Sequence, residues 1–182
     1  MISNFSVHNI KISLKLKVPN ILYLNDVIKE TKIKYKNFGN FLIVYSDFTY
    51  TFFNTINNIV HCNITKIKKY DNIYTSKKKL KTLFPKLSIL TTKVDNICGT
   101  RNIGGKINLE GLFASLIKCS AIKFRINYNS QKFPGLFIKF LGHSPSGTLI
   151  VFKSGKINCV GLKRPNNLLE LDEWIDKWVH HV

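Results

Sequence analysis

The feature that most limits what this chain can fold into is an internal repeat. "VHNI" (Val7–Ile10) returns as "VDNI" (Val94–Ile97), 87 positions later. Each copy is followed by a turn and a stretch with apolar residues at helical spacing, "ILYLNDVIKE" (Ile21–Glu30) and "INLEGLFASL" (Ile107–Leu116). Runs of β-branched and aromatic residues broken by Gly, Asn, Ser and Pro come next, as expected of an antiparallel meander. "YKNFGNFLIVY" (Tyr35–Tyr45) parallels "NSQKFPGLFIKF" (Asn129–Phe140), and "FTYTFFNTINNIVHCNITK" (Phe48–Lys66) parallels "TLIVFKSGKINCVGLK" (Thr148–Lys163). Each half closes on a helical pattern, "YDNIYTSKKKLKTLF" (Tyr70–Phe84), stopped by Pro85, and "NNLLELDEWIDKWVHHV" (Asn166–Val182).

This repeated order of strand, helix, strands and helix predicts an α+β fold of two pseudo-repeats, residues 1–88 and 89–182. Two such units most naturally join edge to edge into one long curved antiparallel sheet, with helices on the convex face and the other face bare. Period-2 alternation assigns the faces in the second repeat: Ile150, Phe152, Asn158 and Val160 on one side, Leu149, Val151, Ile157 and Cys159 on the other.

The chain has 28 Lys and Arg against 10 Asp and Glu, a formal net charge of +18. A basic excess over both halves suggests a polyanionic partner, most simply nucleic acid; an A/T-rich coding sequence would also raise the Lys, Asn and Ile counts. The four cysteines, Cys62, Cys98, Cys119 and Cys159, lack zinc-ligand spacing and do not read as a disulfide framework. No secretory signal and no membrane-spanning apolar run is visible, so a reducing intracellular setting and no membrane partner are expected.

"VDNICGT", "INLEGL", "KFPGLFIKF" and "VFKSGKINCVGLK" resemble the C-terminal repeat of the TATA-box-binding proteins, and "VHNI" and "NFGNFLIVY" resemble the N-terminal repeat in outline. The composition looks like that of a homologue from a large DNA virus or an AT-rich protozoan. The resemblance implies a saddle whose concave sheet sits on the minor groove of AT-rich promoter DNA, with a phenylalanine pair at each end wedged between base steps. Phe133 and Phe152 match the pair of the second repeat, and Phe38 and Phe53 would form that of the first, with Phe52 as the competitor of Phe53.

Further roles follow from the same resemblance. Asn9 and Asn96 match paired asparagines whose amides donate to A·T acceptors. Lys139, Lys156 and Lys163 match phosphate-contacting positions, with Lys66 taken as the first-repeat counterpart of Lys163. The floor between the wedges, mostly Val, Leu and Thr in the family, here includes Lys11, His61 and Asn63 in the first repeat, and Cys98, Ile150, Asn158 and Val160 in the second. These departures put TATA readout in question more than bending.

The expected function is a transcription initiation factor acting in a host nucleus or a cytoplasmic viral factory. It would recruit a factor-IIB-like protein and the RNA polymerase machinery; because "YNSQK" (Tyr128–Lys132) replaces the family's acidic stretch, the factor-IIB-like partner is expected to be divergent. The alternative is a scaffold of a transcription complex with little DNA affinity. No catalytic motif is apparent, "NIGGK" (Asn102–Lys106) lacks P-loop spacing, and no cofactor or metal is expected. Glu170, Asp172, Glu173 and Asp176 read as a solvated or partner-docking face of the last helix, and Trp174 and Trp178 as its anchor to the sheet.

Overall fold

Strand-period alternation in each half produces a sheet with one face packed on helices and one face left open. The computed structural model describes residues 3–20, 22–53, 56–119 and 123–179. Its elements are β1 (Ser6–Lys17), α1 (Tyr23–Glu30), β2 (Lys34–Asn37), β3 (Phe41–Tyr45), β4 (Thr49–Phe53), β5 (Ile59–Ile67) and α2 (Asn72–Leu83). They continue with β6 (Ser88–Asn102), α3 (Leu109–Ile117), β7 (Phe124–Asn127), β8 (Gly135–Phe140), β9 (Gly147–Phe152), β10 (Lys156–Leu162) and α4 (Asn166–Trp178). The described strands pair antiparallel in the order β2-β3-β4-β5-β1 in the first half of the chain and β6-β10-β9-β8-β7 in the second. The α+β expectation holds, as do four helices; Ile21 and residues 180–182, included in the expected first and last helices, lie outside the described residues.

The chain divides into two compact units, Asn9–Asp95 (the first unit) and residues 96–179 joined by residues 3–8 (the second unit). The split falls inside the repeated "VHNI" and "VDNI" motifs, so the first unit is one repeat length of chain and the N-terminal residues belong with the second.

In the first unit the inward positions of β1, Ile12, Leu14 and Leu16, are sealed from solvent with Tyr50, Phe52, Cys62 and Ile64 of β4 and β5. The Phe52 ring meets Phe84 edge-on at 5.2 Å, and the Tyr50 hydroxyl donates to the Ser76 carbonyl of α2 at 3.0 Å. Burial removes that hydroxyl from water, raising its pKa, and the hydrogen bond supplies the partner a buried phenol needs. Phe84 ends α2 because Pro85 cannot continue it.

In the second unit Leu149, Val151, Ile157 and Cys159 are fully buried while Ile150, Phe152, Asn158 and Val160 remain partly open, the division that alternation predicts. Trp174 of α4 meets Phe140 of β8 edge-on at 5.2 Å, and Trp178 stacks on Trp174 at 6.3 Å, so Trp174 anchors the helix to the sheet.

One residue of the acidic face of α4 differs from the expectation: Asp172 is buried, whereas Glu173 and Asp176 are exposed. Arg101, 9% exposed, stands where the first repeat has the buried Leu14, and its Nη1 donates to Asp172 Oδ1 at 3.0 Å while Nη2 reaches Asp176 Oδ1 at 2.5 Å. Asp172 also accepts from the Ser3 hydroxyl at 2.6 Å and the Asn4 amide at 2.7 Å. Asp172 is therefore a buried structural anion that ties the N-terminal segment to α4. A residue at an inward strand position carries its charge into the interior, and there only a paired and hydrogen-bonded carboxylate offsets the desolvation.

Candidate nucleic-acid interface

The open face of the second unit carries an aromatic cluster at its far edge. Phe133, in the turn before β8, lies 5.9 Å from Phe152 at the end of β9 and 5.0 Å from Phe137 of β8. Gly135 makes this arrangement possible: a Cβ there would stand 2.7 Å from Phe133 Cε1, 3.0 Å from Ile150 Cγ2 and 3.1 Å from Phe152 Cε1. Phe133 is 38% exposed, far from the near-complete burial of the core phenylalanines. Behind Phe152, Gly155 turns the chain with φ +83, and the "NIGG" loop braces the turn through Ile103 N to Gly155 O (3.1 Å) and Ile107 N to Lys153 O (3.0 Å). A Gly135→Ala substitution is expected to push Phe133 off its seat and weaken any duplex bending by about tenfold with little loss of fold, checked by comparing bending and thermal melting of the variant.

The first unit repeats the theme with a change. Phe53 is 39% exposed and Phe38 54% exposed, whereas Phe52 is buried, so the outward ring of the "FF" pair is Phe53. Phe41 pairs with Phe53 across β3 and β4, as Gly135 pairs with Phe152 across β8 and β9. With a ring in place of a glycine, Phe38 stacks on Phe41 at 4.8 Å and 20°. The "NTINN" segment ends in a tight hairpin, with Asn57 and Asn58 both at positive φ; Asn54 and Thr55 lie outside the described residues.

Asn9 and Asn96 are built into equivalent bulges. On β5 the register shifts opposite Ile10–Ile12, Lys66 takes φ +65, and its N–H donates to Asn9 Oδ1 at 2.9 Å. On β10 the shift falls between Cys159 and Leu162, Gly161 takes φ +83, and its N–H donates to Asn96 Oδ1 at 2.7 Å. A backbone N–H can only donate, so each asparagine must turn its oxygen inward and present its NH2 as the remaining donor edge. In Asn96 that nitrogen lies 2.9 Å from Cys98 Sγ. Register also corrects one pairing: Lys66 corresponds to the bulge residue Gly161, and Lys68 to Lys163.

Between the bulge and the Phe152 edge, the second unit aligns Asn158 with Thr100 on β6 and Ile150 on β9, and Val160 with Thr148. Thr100 Oγ1 donates to Asn158 Oδ1 at 3.1 Å and lies 2.7 Å from His8 Nε2. The first unit aligns Asn63 with Ser13 and Thr51, and His61 with Lys15. There the Ser13 hydroxyl donates to Asp95 Oδ1 at 3.1 Å, and Lys11 Nζ lies 3.8 Å from the same carboxylate. Lys66, Lys139, Lys156 and Lys163 are all exposed.

Cys98 is partly open on this face, whereas burial pushes the thiols of Cys62 and Cys159 up, the latter to about 12. A thiol reagent near neutral pH is therefore expected to modify Cys98 and Cys119 and to spare Cys62 and Cys159 until the protein unfolds, as mass spectrometry of the labelled protein would read. If the open face binds a duplex, bound DNA shields Cys98.

Phe41, Phe137, Gly135, His8 and Thr100 were not among the residues the sequence singled out. The signal for Gly135 was present in "FPG"; His8 and Thr100 needed cross-strand register, which one sequence does not contain.

The described face is an open antiparallel sheet edged by exposed phenylalanines and flanked by exposed lysines. The fold is similar to that of Methanococcus jannaschii TBP, with a TM-score of 0.67 at 18% identity over 98% of this chain and 99% of that one. Residues 91–177 match the family model "Transcription factor TFIID (or TATA-binding protein, TBP)". The chain is 31% identical over 78 residues to the TATA-box-binding protein of Pyrobaculum islandicum, covering 43% of this chain and 35% of that protein. It is 30% identical over 80 residues to that of Pyrodictium occultum, covering 44% and 36%. The alignment thus spans about a third of the curated relatives' length. Residues 91–177 are thus similar to the TATA-binding-protein family, and the chain as a whole shares the fold of the archaeal structure.

Proposed function

We propose that this protein is a transcription initiation factor that binds the minor groove of A·T-rich promoter DNA, bends it by phenylalanine wedging, and recruits a factor-IIB-like protein and the RNA polymerase machinery inside the cell. The observation that carries the reading is the Phe133–Phe152 pair, held on the open face by the absence of a side chain at Gly135. Exposed large aromatics cost solvation unless a partner covers them, and a base step is a flat apolar partner of matching size. Asn9 and Asn96, each with its oxygen held inward by a backbone N–H, offer NH2 donors that suit the acceptor-only edge of A·T pairs, the Asn96 NH2 giving one of its two protons to Cys98 Sγ.

Lys66, Lys139, Lys156 and Lys163 act on phosphates, setting affinity without reading sequence. Measured association constants should fall with salt at a logarithmic slope of about −0.9 for each phosphate neutralised, and each Lys→Ala change at these four sites should reduce the slope by about one. Salt-independent association, or failure to bind A·T-rich duplexes at all, would contradict the reading and favour a protein-interaction scaffold. No helix among the described residues is long and apolar enough to cross a membrane.

A further inference from the structure

The polar floor of the second unit has a direction. A hydroxyl has one proton, and Thr100 spends its proton on Asn158 Oδ1 (3.1 Å), so the 2.7 Å contact with His8 Nε2 requires the imidazole to donate. The chain His8 Nε2–H to Thr100 Oγ1–H to Asn158 Oδ1 holds the amide oxygen inward and leaves the Asn158 NH2 as the edge offered to a ligand. Asn158 lies on the open side of β10, between the bulge that orients Asn96 and the Phe152 edge.

The first unit carries the same positions with the opposite polarity. Asp95 replaces His8, Ser13 replaces Thr100 and Asn63 replaces Asn158. Ser13 spends its proton on Asp95 Oδ1, so its oxygen has only lone pairs left and cannot hold the Asn63 carbonyl. The Asn63 side chain has no hydrogen bond among the described residues and can turn either edge outward.

We propose that Asn158, set by His8 through Thr100, is a specificity-determining residue that rejects guanine in the half of the duplex lying against the second unit, while the half against the first unit tolerates it. This inference rests on the minor-groove reading above. In that groove A·T pairs show only acceptors, whereas G·C adds the guanine N2 amino donor. A fixed donor meets an acceptor in the first case and another donor in the second. His8 acts as a positioning residue and Asn158 as the reader. The protein would then choose one orientation on its element, because its two halves make different demands on the bases.

Inosine tests this directly, because an I·C pair lacks the N2 amino group but is otherwise close to G·C. Affinities are measured for an A·T-rich duplex in which each pair in turn is replaced by G·C or by I·C. At one or more positions the wild type should bind the I·C duplex about 5- to 150-fold more tightly than the G·C duplex. Asn158→Ala should remove that ratio at the same positions, and Asn63→Ala should leave it. His8→Ala should lower the ratio, and His8→Gln, whose amide nitrogen also donates, should restore it. Equal affinity for G·C and I·C everywhere, or a ratio that persists in Asn158→Ala, would overturn the inference while leaving minor-groove binding intact. Failure to bind any duplex would overturn the proposed function and this inference with it.

Discussion

The Phe133→Ala, Phe152→Ala double variant is expected to lose duplex bending and to bind A·T-rich DNA about 5- to 150-fold more weakly for each ring removed. A base stacked on an aromatic side chain contributes about 1–3 kcal/mol, and about 1.4 kcal/mol corresponds to a factor of ten. The fold should survive, since Phe133 is 38% exposed and Phe152 stands on the open side of β9 while Leu149 and Val151 carry the packing. A melting temperature close to wild type, together with lost bending, separates a missing tool from a damaged core. The matching Phe38→Ala, Phe53→Ala variant should have the smaller effect. Phe133 lies 5.9 Å from Phe152, whereas the Phe38 ring stacks on Phe41 at 4.8 Å, so only the second unit holds its two outward rings as a ready pair among the described ring contacts. Equal losses from the two double variants would contradict this asymmetry.

The second large effect concerns stability. Arg101→Leu copies the residue of the first repeat, yet it leaves Asp172, 6% exposed, without the cation that balances it. Removing one partner of a buried ion pair costs about 3–5 kcal/mol. For a chain of this size each kcal/mol lowers the melting temperature by about 2–4 °C, so a fall of about 6–20 °C is expected in thermal unfolding. Arg101→Leu combined with Asp172→Leu should recover much of the loss, because an apolar pair of similar volume avoids the desolvation penalty. Recovery should be incomplete, since the Ser3 hydroxyl and Asn4 amide lose their acceptor. Asp176→Ala should cost under about 1 kcal/mol because that carboxylate is half exposed and screened by water. A single Arg101→Leu variant as stable as wild type would show that the buried pair contributes nothing.

Much of this architecture was legible because similar motifs recur in the same order in both halves of the chain. Strand parity alone separated Ile150 and Phe152 from Leu149 and Val151, since side chains alternate strictly along a strand. The choice between Phe52 and Phe53 was not legible, because both stand next to each other at a strand end; packing on Phe84 settles which ring is inside. The acidic residues of α4 read as surface because helical periodicity ranks charges outward by default. Nothing local announces that Arg101 lies 71 positions away in sequence and against that helix in space. The His8–Thr100–Asn158 chain stayed hidden for the same reason, as it joins three strand positions through register. Conversely, reading Lys66 as the partner of Lys163 failed because counting along the chain cannot locate the bulge that shifts the register.

The most direct test of the account is the end-to-end distance of a short A·T-rich duplex labelled with a fluorescence donor and acceptor at its two ends. Adding the protein should shorten that distance in a saturable, salt-sensitive manner, and the Phe133→Ala, Phe152→Ala variant should fail to shorten it at concentrations where it still binds. A duplex that remains straight under saturating wild-type protein, or one that the double variant bends equally, would contradict wedging by the phenylalanine pair.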